Sequence, residues 1–383
     1  MNILYYTWNE YTFKDCTECM KALGWNITVI SHPLKDYDID DEFMCEITAV
    51  IRSSNYDCIF SFNYFPIISR ICMEQGLTYI SWVFDSPNIT MDSVTLKNPC
   101  NAVFTFDYAT YEMYRNNGIN TVHYMPLAYN HRRLKKLVSQ LPQTYGHEVS
   151  FLGTLYNNEY NFFDQINYIP PQLKGYIDGL INSQLLIYGY DLISELFNHE
   201  KCNELAKYVN IDMGPLYENY RDKLFCNMIH KKITVIERRE FMQIIGKKYS
   251  LDLYSPSKPD NLSVNYCGYA EYMNQMPEIF YTSKINLNIT LRSITTGIPL
   301  RIIDILGANG FLLTNYQQEL AEYFTNGVDL VWYESREDLM DKINYYLNHD
   351  TERIHIADNG HKKAEELFTY EKLLPKIFNT ALT

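Results

Sequence analysis

No stretch of this 383-residue chain approaches the ~20 apolar residues of a membrane-spanning helix. The opening MNILYYTWNEY has no basic segment and no long apolar one. No membrane span and no secretory leader are expected, and the chain reads as cytoplasmic and reducing. Basic charge is scarce: 33 Lys and Arg stand against 46 Asp and Glu, for a net −13. Such a surface repels phosphate backbones and anionic lipid, which argues against a general nucleic-acid or membrane coat and leaves room for a local basic pocket for one small phosphorylated ligand. The basic run His131-Arg-Arg-Leu-Lys-Lys136 lacks interleaved aromatics and reads as a solvated connector. The nine cysteines, at 16, 19, 45, 58, 72, 100, 202, 226 and 267, have no repeating spacing and no histidines at ligand intervals. A disulfide framework and a structural zinc site both fit poorly, and Cys16-Thr-Glu-Cys19 reads as part of a helix. Repeats and low-complexity segments are also missing.

What remains is a core-forming chain, 46% apolar and 21% charged, whose length suggests two domains. Tyrosine is abundant at 34 residues, and aromatics reach 15%; they suit stacking on sugars and bases but also fill cores. Asn2 to Thr7 is a short apolar run, followed by an amphipathic stretch from Phe13 to Leu23, a stop at Gly24, and a second apolar run to Ser31. Strand, helix, glycine, strand opens a parallel βαβ unit. The pattern recurs through Cys58–Phe62, Thr78–Phe84, Ala102–Phe106 and Thr121–Met125, giving about six strands in a doubly wound domain over residues 1–128. Residues 129–147 read as a linker. Strands resume at Glu148–Leu152, Leu251–Tyr254, Val264–Cys267, Ile285–Thr290, Phe311–Thr314 and Leu330–Trp332, which places a second domain at 148–369. Residues 157–232 lack strand alternation and read as a helical insertion, and 370–383 as a closing helix. The expected fold is α/β, with two Rossmann-like domains facing a cleft.

Ligands of open α/β sheets bind beyond the carboxyl ends of the strands. The most informative such place is Ser283 to Asn315, where a strand leads into a loop with Arg292, Thr295, Thr296 and Gly297, and Pro299 starts a helix carrying Arg301 and Asp304. A helix N-terminus after a glycine turn favours anions. Arg292 and Arg301 could clamp a diphosphate, and Asp304 could accept from a ribose diol. Equally, Asp304 could answer the helix dipole with Arg301 as its ion-pair mate. A second cluster is Trp82-Val-Phe-Asp85-Ser86-Pro87, where Asp85 is either a base at a strand end or a cap of the turn before Pro87. His123 is the alternative base or a core residue. A third cluster takes Gly153, Thr154, Tyr254, Ser255, Gly268 and Tyr269 from other strand ends, with Trp8-Asn9-Glu10 in the matching loop of the first domain. Asp36-Tyr-Asp38-Ile-Asp40 lies in an acidic solvated loop, and no metal site is expected there.

The stretch Gly297-Ile-Pro-Leu-Arg301, Asp304 and Gly310-Phe-Leu-Leu-Thr314 resembles the donor-binding region of GT-B glycosyltransferases, specifically the CgeB-like, spore-maturation type. Glu319, the run 338–347 and the run 361–370 follow the same pattern. The N-terminal half resembles the domain that commonly precedes it, through Ile80-Ser-Trp-Val-Phe-Asp85-Ser-Pro87 and His123-Tyr-Met-Pro-Leu-Ala128. The resemblance implies a metal-independent transfer from a nucleotide-diphosphate sugar, a UDP-sugar foremost, to a protein or glycan acceptor, with no cofactor. Spore, flagellar or other cell-surface glycan assembly is the context it suggests. The donor contacts it implies are Gly153, Thr154, Tyr254, Gly268, Tyr269, Lys284, Asn288, Arg292, Thr296, Gly297, Pro299, Arg301 and Asp304, and the candidate bases are Asp85 and His123. Related retaining enzymes carry a Glu-x7-Glu pair here; this chain has Thr296 at the first position and Asp304 at the second, which leaves the anomeric outcome open. The rival readings are an epimerase or phosphorylase of the same fold, or a non-catalytic nucleotide-sugar binding protein.

Overall fold

The computed structural model describes residues 1–142, 144–156, 161–218 and 220–383. They form two compact units. The first comprises Met1–Asn130, Asp212–Tyr220 and Phe368–Thr383; the second comprises His131–Ile211 and Arg221–Leu367.

The first unit holds a six-stranded parallel sheet of β1 (Asn2–Thr7), β2 (Asn26–Ser31), β3 (Cys58–Phe62), β4 (Thr78–Val83), β5 (Asn101–Thr105) and β6 (Val122–Tyr124), in the order β2-β1-β3-β4-β5-β6. β3 and β5 are buried along their whole length, and β4 at all but its first residue, as strands covered on both faces must be, and hence read as unbroken apolar runs. Local chemistry sets the intervening helices. Asp40 accepts from the Phe43 amide to start Asp41–Ser53, and Pro66 opens the helix Pro66–Gln75. Gly76, at φ 68°, ends the latter by donating its amide to the Cys72 carbonyl. The closing helix Tyr370–Leu382 belongs to this unit: Phe378 lies 4.6 Å from the Trp25 ring and 5.7 Å from Phe60, and Tyr370 meets Trp82 edge-on at 5.8 Å.

The second unit repeats the architecture with β7 (His147–Leu152), β8 (Leu251–Tyr254), β9 (Asn265–Gly268), β10 (Ser283–Asn288), β11 (Leu312–Asn315) and β12 (Val331–Tyr333), ordered β12-β11-β10-β7-β8-β9, again all parallel. Its strands fall within two residues of the positions read from the sequence. The stretch expected as a linker contains the helix His131–Val138. The stretch read as a helical insertion holds the helices Pro171–Gln184, Leu192–Leu196 and His199–Leu205 and the start of the 27-residue Tyr220–Gly246; its first residues, 157–160, lie outside the described residues. Leu173, Ile177, Ile193, Phe225, Ile229 and Ile233 give this part an apolar cluster of its own. Gly246 ends the long helix where a Cβ would stand 1.6 Å from the Ser263 carbonyl oxygen, so no larger residue fits there. No helix among the described residues is long and apolar enough to cross a membrane.

In each sheet the strand order reverses once, between β1 and β3 in the first and between β7 and β10 in the second. Helices diverge to opposite faces at such points and leave a crevice at the carboxyl ends. The candidate residues can be placed against these two crevices.

Candidate functional site

In the second unit the crevice is bridged by a residue the sequence reading missed. Arg238, buried in the middle of the long helix, donates through Nη1 to the Thr154 carbonyl at 2.5 Å and through Nε to the Ile289 carbonyl at 3.2 Å. It thus ties the chain after β7 to the end of β10. Its guanidinium lies over the Phe151 and Tyr156 rings, and burial lowers its pKa. A helix far away in sequence supplies it, so no local motif announces it.

The loop after β10 then gathers Thr296, Gly297 and Pro299. Pro299 is the N-cap of the helix Leu300–Gly307, one residue before the position expected for it. The Thr296 hydroxyl donates to Glu319 Oε1 at 2.8 Å, and the Glu319 amide returns a bond to the Thr296 carbonyl at 3.2 Å. A buried carboxylate therefore stands one hydroxyl away from position 296, contributed by a later helix. Asn288, at the end of β10, donates to the hydroxyls of Thr290 (3.0 Å) and Thr314 (2.9 Å), which fixes the floor of this loop. Asp304 is 6% exposed and accepts from the Tyr272 hydroxyl at 3.1 Å. Arg301 makes no ion pair with it, and instead meets the Met276 sulfur at 3.0 Å and the Phe280 ring at 5.4 Å.

Other expected donor contacts are placed differently. Arg292 faces Glu237 as a two-pronged fork, Nε to Oε2 at 3.0 Å and Nη2 to Oε1 at 2.7 Å, donates to the Ile187 carbonyl and stacks 4.2 Å over Tyr188. Burial disfavours its charge, but Glu237 overrides this and its pKa is raised. Its charge is thus already answered inside the protein. Lys284 is the second residue of β10, at the amino ends of the strands and so at the far end of the sheet from the crevice; its ammonium lies 3.8 Å from Asp350. The Gly153 amide donates to the Tyr254 carbonyl at 3.0 Å and belongs to the sheet ladder, leaving Thr154 as the nearer contact. Tyr254 and Gly268 end β8 and β9, one and two strands out from β7, roughly 5 and 10 Å from it at ordinary strand spacing. Tyr269 follows, 65% exposed.

In the first unit the crevice opens into a cavity of about 450 Å3, and Asp85 is in its wall. Asn9 (φ 67°) follows β1 and Asn63 (φ 60°) follows β3; both hold left-handed conformations that Asn tolerates better than most residues. Asn63 donates through Nδ2 to Asp85 Oδ2 at 2.7 Å, while its Oδ1 accepts from the amides of Phe84 and Asp85, each at 3.2 Å. Asp85 is open to solvent, yet the concave walls crowd its carboxyl; this desolvation raises its pKa, against the Asn63 bond, which lowers it. Glu10 closes the β1 loop from beneath, accepting from the Tyr5 and Thr7 hydroxyls and the Trp8 amide. His123 is elsewhere. It sits in β6 stacked on Phe104, two strands from β4, and burial, with some help from Arg115, lowers its pKa.

In the acidic loop, Asp36 accepts from the amides of Asp38 and Ile39 and Asp40 from those of Lys35 and Phe43, so these carboxylates shape turns. Donor atoms of His32, Asp40 and Glu42 come within 4.8 Å of one another, and Lys35 pairs with Glu42 at 2.6 Å.

Comparison with known proteins agrees with this geometry. Residues 235–379 match the family described as glycosyl transferase-like, a span that includes Arg238, the 292–304 loop and Glu319. No curated protein matches the sequence. Among solved structures, sucrose-phosphate synthase from Thermosynechococcus elongatus is similar at TM-score 0.56 and 9% identity, over 99% of this chain and 98% of that one. A glycosyltransferase from Rickettsia africae is similar at 0.54 and 11%, over 99% and 97%. Anabaena HepE, solved with UDP and glucose, is similar at 0.50 and 11%, over 99% of both chains. Two all-parallel six-stranded sheets, matched over nearly their whole length by such enzymes, give this chain the GT-B fold, and its C-terminal part is similar to the glycosyl transferase-like family.

Proposed function

We propose that the protein moves a sugar from a UDP-sugar to a glycan or protein acceptor, without a metal, as a CgeB-like enzyme. The observation that carries this reading is the loop between β10 and the helix Leu300–Gly307: Thr296, Gly297 and a helix N-terminus lie past the carboxyl end of a strand at the switch point, with the buried Asp304 one turn into the helix. The helix N-terminus and the Arg238 guanidinium favour the diphosphate, and Asp304 takes the ribose diol. HepE, with UDP bound, supports the choice of nucleotide.

Chemistry then needs an acceptor oxygen stripped of its proton. As that oxygen bonds to the anomeric carbon, the bond to UDP breaks, UDP leaves with the electron pair, and Asp85 takes the acceptor's proton. Its raised pKa suits a group that must be ionised before reaction and protonated after it. Positive groups that meet the charge growing on the leaving diphosphate act mainly in the transition state.

Thermal shift with UDP-, GDP-, dTDP- and CMP-sugars in EDTA tests the donor side. A ligand at ~100 times its Kd should stabilise by roughly 2.7 kcal/mol. A rise with a UDP-sugar that shrinks by about half or more in Asp304→Ala supports the reading; no rise, or one that requires added metal, refutes it. On the acceptor side, Asp85→Asn should keep the UDP-sugar shift and lose turnover.

A further inference from the structure

We propose that the acceptor presents an uncharged sugar ring, and that this ring sits in the 450 Å3 cavity at the β1/β3 switch point of the first unit. The inference rests on the reading of Asp85 as the base that receives the acceptor's proton. It adds the chemical class of what carries that proton.

Shape is the first argument. The cavity volume is that of a small-molecule pocket, which spans ~300–1,000 Å3, and suits one or two rings better than an extended peptide. Its walls are rich in aromatic side chains, among them Trp8, Tyr37 and Phe65. Trp8 is a fixed platform: its Nε1 donates to the Phe62 carbonyl at 3.2 Å and its ring stacks on Phe84 at 5.9 Å. Tyr37 is 51% exposed and packs edge-on against Phe65 at 5.7 Å, leaving much of its surface open. Flat rings of this kind cover the C–H faces of a pyranose, which carry the sugar's apolar surface.

Charge is the second. No lysine or arginine is among the described residues that line the cavity. Its one basic side chain is His32, and that ring is already held by Glu46 at 2.9 Å and faces Asp40 at 3.7 Å. Asp85 adds a carboxylate that is not ion-paired. Such a field disfavours a phosphorylated or carboxylated ligand, because a second anion in a crowded wall would meet repulsion with no cation to offset it.

Polarity is the third. Asn9, Asn63 and Asp85 come to this rim from three successive strand ends of the sheet order, β1, β3 and β4. Neutral amides beside one carboxylate make a set that can both donate to and accept from hydroxyls, as a polyol requires. Both asparagines hold left-handed backbone, and the Asn63 side chain is held further by the Phe84 and Asp85 amides.

Saturation-transfer NMR on the full chain with UDP present tests this. The probes are methyl glucoside, methyl galactoside, N-acetylglucosamine, cellobiose, glucose 6-phosphate, glucuronic acid and an uncharged hexapeptide. The expected result is saturation of at least one neutral saccharide and of neither anion, falling at least five-fold in Trp8→Ala and in Tyr37→Ala. Tyr37 is half exposed, so its variant keeps the inference testable if Trp8→Ala unfolds. Binding of the phosphate, the uronate or the peptide alone overturns the inference. So does saturation that both variants leave unchanged, or the absence of saturation by every neutral saccharide. UDP affinity, read by calorimetry on the same samples, separates the two levels: intact UDP binding with failed saccharide binding sinks the acceptor inference alone, whereas lost UDP binding sinks the donor reading.

Discussion

Asn63 holds Asp85 from two sides, donating to the carboxylate Oδ2 at 2.7 Å and accepting from the Asp85 amide at 3.2 Å. One side chain therefore fixes both the direction of the carboxylate and the backbone that carries it. Asn63→Gly removes the amide while suiting the left-handed backbone at φ 60°, whereas Asn63→Ala adds a steric cost of ~1–2 kcal/mol there. The lost hydrogen bond had favoured the ionised form, so the Asp85 pKa should rise further. Activity that needs the carboxylate falls as pH drops through this pKa. The acid limb of kcat/KM should accordingly move to higher pH in Asn63→Gly. A uniform drop at every pH would mean that Asn63 serves the fold alone.

Asp85→Asn should abolish turnover without lowering stability. The folded-state pKa of Asp85 is raised above its unfolded value, so its contribution to stability is present at low pH and lost as pH rises through the folded pKa. The neutral amide lacks this penalty. Melting temperatures of the variant should equal or exceed those of the parent at pH 7 to 8, and the gap should close as pH falls through the carboxylate range. A variant that melts well below the parent at pH 7 would contradict the desolvation of this group.

The Arg292–Glu237 pair should behave as a structural element. Its side chains are 9% and 2% exposed, and removing one partner of such a pair strands a buried charge, at ~3–5 kcal/mol. Glu237→Ala and Arg292→Ala should each lower the midpoint of urea denaturation by that equivalent, and Glu237→Leu combined with Arg292→Met should recover most of it. Where the double variant is folded, its UDP affinity should stay within about ten-fold of the parent, less than the ~1.5–3 kcal/mol of a lost charged hydrogen bond would allow at its upper end.

Much of the architecture was readable because parallel strands buried on both faces appear as short apolar runs between glycine stops, as at Cys58–Phe62 and Leu251–Tyr254. The loop from Arg292 to Asp304 was readable too, since glycine, proline and the following helix are neighbours in the chain. Side-chain direction was not. Arg292 and Arg301 look alike in the sequence, but the long helix brings Glu237 to one, while Met276 and Phe280 meet the other. Arg238, Glu319 and Asn63 act through partners 84, 23 and 22 residues away, a separation that only the folded chain closes. Lys284 shows the converse: proximity in sequence to the loop placed it at the wrong end of a strand.

Asp304 gives the sharpest test of the donor site, because its proposed partner can be deleted from either side. Buried at 6% exposure and bonded to the Tyr272 hydroxyl at 3.1 Å, it is oriented before any ligand arrives. If Asp304 accepts from the ribose diol, 2′-deoxy-UDP should bind the parent more weakly than UDP by ~1.5–3 kcal/mol, the worth of a hydrogen bond to a charged group. Asp304→Ala should weaken UDP by a similar amount and bind the two nucleotides alike. Tyr272→Phe leaves the carboxylate in place but less firmly held, so it should weaken UDP only a few-fold while keeping the preference for the ribose. Calorimetric titration of both nucleotides into all three proteins completes the cycle. A preference for UDP over its deoxy form that survives in Asp304→Ala would remove Asp304 from the ribose and turn the search to the Thr296–Glu319 pair at the start of the same loop.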